Sequence, residues 1–352
     1  MMKSRKFLAL VLVALLALSF LTSCKSDSSN DNNNAAPPAA PVSKEVDVRD
    51  LYTGEYRIAY IPLSLLGVLN VPITAAINEV LVQFPNIKVD SMEAGFDPNK
   101  QASLVNEAIS QGYDAIILES ADPAVLVNAV NAAEGAGIPV IAQNLTIDTV
   151  HSGKVNMSDY EAGSDAAKNI ARLCNNTGNV IVLDGPVELA SIRLMGKGCT
   201  DYIKNNTNME ILDIQYIPNF SQELANTAMR DLLTKYPSGE IQAIYCCNDD
   251  EAIGAIQAIN AAGRQGDNIV IWGYVGEETA LNAIKEGTMA GTNFQDTYLI
   301  MVAELTLANY CIATRSTAGT LGLKATPVIP MSCPAVTKDN VDTYLAINRY
   351  SK

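Results

Sequence analysis

IQAIYCCNDDEAIGAIQAINAAG, residues 241–263, changes character at Asn248. Ile241 to Cys246 is an apolar run too short for a helix, which reads as a buried parallel strand; beyond Asn248, Ala252, Ile253, Ile256 and Ile259 recur at helical spacing. Asp249 and Asp250 stand where a helix N-terminus favours acceptors and negative charge. Asn248 is thereby placed at the C-terminal end of a strand, the rim at which open α/β sheets bind ligands.

The pattern occurs twice. YDAIILESADPAVLVNAVNAAEGAG at 113–137 has the same order of apolar run, polar break, acidic helix start (Asp122), Asn-Ala-Ala and closing glycine, and each copy precedes a further apolar run, IPVIAQ at 138–143 and NIVIWGY at 268–274. The helix starts are 128 residues apart, far beyond a solenoid period, which predicts two similar α/β lobes and a cleft. Outward from these units, strands are expected at 56–62, 87–92, 114–119, 138–143, 179–184, 211–217, 241–246, 268–273 and 288–294. Helices are expected between them at 73–84, 99–111, 159–174, 191–205, 222–235 and 296–313. Such alternation predicts parallel sheets flanked by helices.

The N-terminal segment has a different character. Met1 to Ser23 has a basic start (Lys3, Arg5, Lys6), an apolar core from Phe7 to Leu21 and small residues before Cys24, the three parts of a signal peptide. Its core is shorter than the roughly 20 residues a membrane span needs. Leu21-Thr22-Ser23-Cys24 resembles the lipobox of bacterial lipoproteins, which implies cleavage before Cys24 and lipidation of that cysteine, palmitate included; the alternative is an ordinary signal peptide with a chance cysteine. Residues 24–54, rich in Ser, Asp, Asn, Ala and Pro, are expected to form a disordered tether. The chain has 24 Lys plus Arg against 38 Asp plus Glu, and cleavage leaves 21 against 38, net −17, which argues against a nucleic-acid partner.

A search for catalytic machinery finds no HExxH, GxSxG, GxGxxG or phosphate-loop pattern and no cofactor motif. The single histidine, His151, follows Thr149-Val150 in a predicted loop and is assigned a surface or structural role. Beyond Cys24 there are six cysteines, none in a CxxC pair; packing is the first reading of Cys246, and Cys174 and Cys199 are candidates to pair in an oxidising compartment.

From Tyr56 to Tyr350 the chain resembles the type I periplasmic sugar-binding proteins, the ribose- and galactose-binding group that delivers ligand to ABC importers. The stretches that carry the resemblance are IPVIAQN at 138–144, VIVLDGPVELASIRLMGKG at 180–198, Phe220 before a helix, CNDDEAIGAI at 247–256, WGYVG at 272–276 and GTNFQD at 291–296. It implies two Rossmann-like lobes joined by a three-crossover hinge: residues 55–158 plus 296–325 as lobe 1, and 159–295 plus 326–350 as lobe 2. The ligand is then held between lobes that close about a hinge.

Residue by residue, the resemblance places Arg193 where a guanidinium grips adjacent hydroxyls, with a plain helix-surface arginine as the alternative. Phe220 falls on a sugar-stacking aromatic, or in the core, and Tyr274 on a second such aromatic. Asn248 and Gln295 match amides that donate and accept together, as a hydroxyl requires. Ser64 and Asn70 lie in the first strand-to-helix loop, and Glu119 ends its strand towards the cleft as a candidate acceptor. Two expected carboxylates are replaced, by Asn144 and Val275, so the pocket is expected to be less anionic than a typical relative's. The readings in order are a monomeric lipoprotein receptor handing a sugar to an ABC permease, a sensory receptor of the same fold signalling to a membrane kinase or chemoreceptor, and an extracytoplasmic enzyme.

Overall fold

A computed structural model of the chain describes residues 54–66, 70–143 and 147–348. The signal segment, Cys24, the tether up to residue 53 and Asn144 lie outside the described residues.

Among the described residues the strands form two six-stranded sheets. The first contains β1 (Tyr56–Ile61), β2 (Ile87–Ser91), β3 (Ala115–Leu118), β4 (Val140–Gln143), β5 (Gly153–Met157) and β11 (Val328–Met331), in the order β11-β5-β4-β3-β1-β2, every pair parallel. The second contains β6 (Thr177–Asp184), β7 (Asn208–Tyr216), β8 (Ala243–Cys246), β9 (Val270–Val275), β10 (Gly291–Phe294) and β12 (Ala335–Thr337), in the order β12-β10-β9-β8-β6-β7, with only β12 antiparallel. The repeated unit of the sequence therefore occupies equivalent places: β3 lies between β1 and β4, and β8 between β6 and β9.

Helices cover both faces of each sheet. Around the first lie α1 (Asn70–Leu81), α2 (Pro98–Ser110), α3 (Val127–Gly135) and α9 (Thr297–Thr314); around the second lie α4 (Asp159–Leu173), α5 (Ala190–Asn206), α6 (Gln222–Lys235), α7 (Asp249–Ala261), α8 (Glu278–Glu286) and α10 (Val341–Ile347). Strand alternation divides the first core: Ile58 and Tyr60 of β1 pack with residues of α1 and α9, while Ala59 and Ile61 pack with those of α2 and α3. Helix α9 is long and apolar enough by length and composition to cross a membrane, but Met301, Leu305, Ala308 and Cys311 bury it in that core.

The chain passes between the sheets three times, from β5 to α4, from β10 to α9 and from β11 to β12. The last passage falls between Met331 and Ala335, later than the expected boundary at 325/326, because β11 pairs with β5 and so belongs to the first lobe.

Two further expectations are corrected. Asp122 does not start α3. Its carboxylate accepts from Ala124 and Val125 N–H in a turn, and Pro123 O, which a helix would offer to Val127, accepts from Asp148 N–H at 3.2 Å. Cys174 and Cys199 do not pair: both are free, Cys199 is fully buried in the second core and Cys174 Sγ lies 3.8 Å from Gln242 O. His151 takes the structural one of its two expected roles: it is buried, its Nδ1 within 2.8 Å of Thr149 O and 3.3 Å of Thr326 Oγ1.

Candidate ligand-binding site

Parallel sheets leave their functional loops at the C-terminal ends of the strands. On the first sheet, β1 runs into Pro62–Leu66, and three polar side chains shape that end. Glu119 accepts from Leu63 N–H at 3.2 Å, Glu93 accepts from Leu65 N–H, and Ser64 Oγ accepts from Leu66 N–H at 3.0 Å. Burial pushes the Glu119 carboxyl up to about 7 against the opposing pull of the Leu63 hydrogen bond. Below it, fully buried Gln101 of α2 donates to Glu119 O at 2.6 Å and accepts from Ala121 N–H at 2.8 Å, fixing the loop that carries Glu119. Sequence reasoning missed Gln101, which is one polar residue in an amphipathic helix with no local mark of its role. Asn70 opens α1, and its side chain, like Asn144, lies outside the described residues.

At the first passage between sheets, burial raises the Asp159 carboxyl to about 7, with Lys154 pulling it down and Glu119 pushing it up. One charge from each lobe therefore bears on the other where the chain crosses.

On the second sheet the rim is built from β6, β8 and β9. After β6 comes Gly185, where a Cβ would lie 2.8 Å from the Phe220 ring and 2.9 Å from Cys247 Sγ, so the glycine lets these segments meet. Phe220 ends a 3₁₀ turn with φ of 55° and is half-buried against the core, between its two expected roles. Arg193 stands exposed in the first turn of α5, with Nη1 donating to Val187 O and, at 2.8 Å, to Glu188 O. Asn248 is the N-cap of α7: its Oδ1 accepts from Glu251 N–H at 2.8 Å, and its Nδ2 has no partner among the described residues. The capping that the sequence suggested for Asp249 and Asp250 is thus done by Asn248.

Tyr274 is buried, with its hydroxyl 3.5 Å from Cys333 Sγ in the third passage, so its polar end points to the inter-lobe connection. Val275 follows with φ of 111°, and Gln295, in the second passage, donates its backbone N–H to Val275 O at 2.9 Å. The structure thus brings Arg193, Phe220, Asn248 and Val275 to one rim of the second sheet, and Ser64 and Glu119 to the matching rim of the first. Such groups suit a neutral ligand with many hydroxyls: a guanidinium fork and amides for hydrogen bonds, and an aromatic face for C–H surface. Among the described residues, no three His, Cys, Asp or Glu side chains converge to hold a metal ion.

A family model described as a periplasmic binding protein domain matches residues 73–310. A xylitol-binding protein of Mycolicibacterium smegmatis is 32% identical over 258 residues, 73% of this chain and 70% of that one. The ribose import binding protein of Bacillus subtilis is 31% identical over 219 residues, 61% of this chain and 68% of the relative. An ABC transporter solute binding protein from Bacillus halodurans, solved with bound myo-inositol, has a TM-score of 0.71 and 26% identity, covering 84% of this chain and 99% of that one.

Proposed function

The chain belongs to the periplasmic binding protein family, and from that premise we propose that it captures a sugar or similar polyhydroxylated small molecule between its lobes and delivers it to the permease of an ABC importer. The observation that carries this reading is the close approach at Gly185, which brings Phe220 against Cys247, the neighbour of Asn248, at the strand-end rim beside which Arg193 opens α5. The family is one of substrate-binding proteins rather than enzymes, and it implies an extracytoplasmic location. Within that location, the Leu-Thr-Ser-Cys motif supports a lipid anchor at Cys24, with the folded part working as a monomer on its tether. Two acyl chains hold a protein stably at a membrane where one is marginal.

A thermal-shift screen against sugars, polyols and nucleosides tests the ligand class. A true ligand at a hundred times its Kd stabilises the native state by about 2.7 kcal/mol. X-ray scattering with the hit is expected to show a smaller radius of gyration as the lobes close. If no polyhydroxylated compound raises Tm, the proposed ligand class is wrong. For the anchor, Cys24→Ser is expected to release the protein from the membrane or block processing; a wild-type protein with an unmodified N-terminus elsewhere overturns it.

A further inference from the structure

Asp249 opens α7, yet its carboxylate turns away from the helix. Fully buried, it accepts three hydrogen bonds from elsewhere: Gly276 N–H at 2.7 Å, Glu277 N–H at 2.8 Å and Thr292 Oγ1–H at 2.7 Å. The first two belong to the turn that follows β9, the third to β10. Immediately before that turn sits Val275, buried, β-branched and at φ 111°, a backbone conformation that L residues rarely adopt and that persists only where the surroundings enforce it. Gly273 completes the fit, because a Cβ there would fall on Asp249 Oδ1.

We infer that Asp249 is the positioning residue of the second lobe's half of the site: it locks the turn after β9 onto the N-terminus of α7, so that the Asn248 amide and the turn that begins at Val275 are held in one fixed relation at the rim proposed for the ligand. The clamp lies within the second lobe and its contacts involve no ligand; its consequence for binding rests on the proposed polyhydroxylated ligand. Its chemistry needs an acceptor for two converging N–H groups but no net charge. In Asp249→Asn, one amide oxygen can take both backbone bonds while the NH₂ donates to Thr292 Oγ1, whereas Asp249→Ala leaves two buried N–H groups without a partner.

Two measurements test the clamp. Hydrogen exchange on the unliganded protein is expected to show lost protection at the Gly276 and Glu277 amides in Asp249→Ala and near-native protection in Asp249→Asn. Unchanged exchange in Asp249→Ala overturns the inference whatever the ligand. Calorimetric titration with xylitol, D-ribose and myo-inositol is expected to show binding weakened about tenfold or more in Asp249→Ala and largely restored in Asp249→Asn. The core variant Met229→Ala, with its own loss of Tm, is expected to bind as wild type. Equal weakening in Met229→Ala, or none in Asp249→Ala, overturns the positioning role. Should Asp249→Ala fail to fold, Gly273→Ala carries the same two expectations, since its methyl group displaces the carboxylate without removing it. A wild type that binds none of the three sugars and polyols counts against the proposed ligand class, and the exchange result then decides the clamp alone.

Discussion

Glu134 shows how much a single side chain can hold in this fold. It is buried on α3 and accepts from Val140 N–H at 2.9 Å, Ser152 N–H at 2.7 Å, Ser152 Oγ–H at 3.0 Å and Ala318 N–H at 2.8 Å, joining the entries of β4 and β5 to the segment after α9. Glu134→Ala leaves three buried N–H groups unpaired, and at about 1–3 kcal/mol each, partly relieved by water, we expect a loss of about 3 kcal/mol or more in urea unfolding. Arg193 is the opposite case. It is exposed and, among the described residues, bonded only to carbonyls of its own loop, so Arg193→Ala is expected to leave Tm near its wild-type value. Titration against the screening hit is expected to show binding weaker by about 1.5–3 kcal/mol, ten- to a hundred-fold, the range of a hydrogen bond to a charged group. Binding at wild-type strength would remove Arg193 from the site.

Helices α4 and α5 touch backbone to backbone, and two glycines permit it: a Cβ at Gly163 would fall on Met195 O, and one at Gly198 on Tyr160 O. Gly163→Ala would gain about 1 kcal/mol in helix propensity, but overpacking at about 1–3 kcal/mol or more outweighs it. We expect net destabilisation and, since α5 carries Arg193, a displaced guanidinium. Gly135→Ala on α3, where a methyl group meets nothing within 4 Å, is expected to stabilise instead. Opposite shifts of the urea midpoint check the pair. The elements themselves were largely legible in the sequence: each predicted strand and helix has its counterpart, with ends displaced by a few residues, because apolar periodicity is a local property. Strands β5, β11 and β12 were not legible. GKVNM, VIPM and AVT carry little pattern of their own and become strands by lying beside β4, β5 and β10. The expected helix start at Asp122 failed for a similar reason, since its Pro123 carbonyl is taken by Asp148, distant in sequence.

At the scale of the whole molecule the buried carboxylates set the response to pH. Burial raises Glu119, Asp159 and Asp249 to about 7, Asp184 to about 6, and Glu251 and Glu277 to about 8. Their unfolded values lie near 4, so between about pH 4 and these folded values the native state binds more protons than the unfolded chain, and stability falls as pH rises. Burial of His151 lowers its folded value and opposes this weakly below pH 6.5. The ion-paired Asp90 and Asp213 are lowered by Arg57 and Lys235, so their contribution is lost only below about pH 4. We expect Tm to be highest near pH 4 and to fall towards pH 8, by up to about 1.4 kcal/mol per pH unit for each carboxylate titrating. A Tm that rises from pH 5 to pH 8 would show that these groups are ionised and compensated in the fold.

The sequence by itself determined the α/β class, the two lobes and the strand ends that form the rim proposed for the ligand. Those features follow from apolar runs, helical spacing and a repeated unit, each of which acts over a few residues of chain. Tertiary structure alone decided what the polar residues on that rim do. Asp249 looked like a helix cap and became a brace because its donors, at 276, 277 and 292, lie 27, 28 and 43 residues away. Asn248 took the cap, and Tyr274 turned its hydroxyl to Cys333, 59 residues on. A buried polar atom must find a partner wherever the fold brings one within about 3 Å, and no local pattern records which partner that will be.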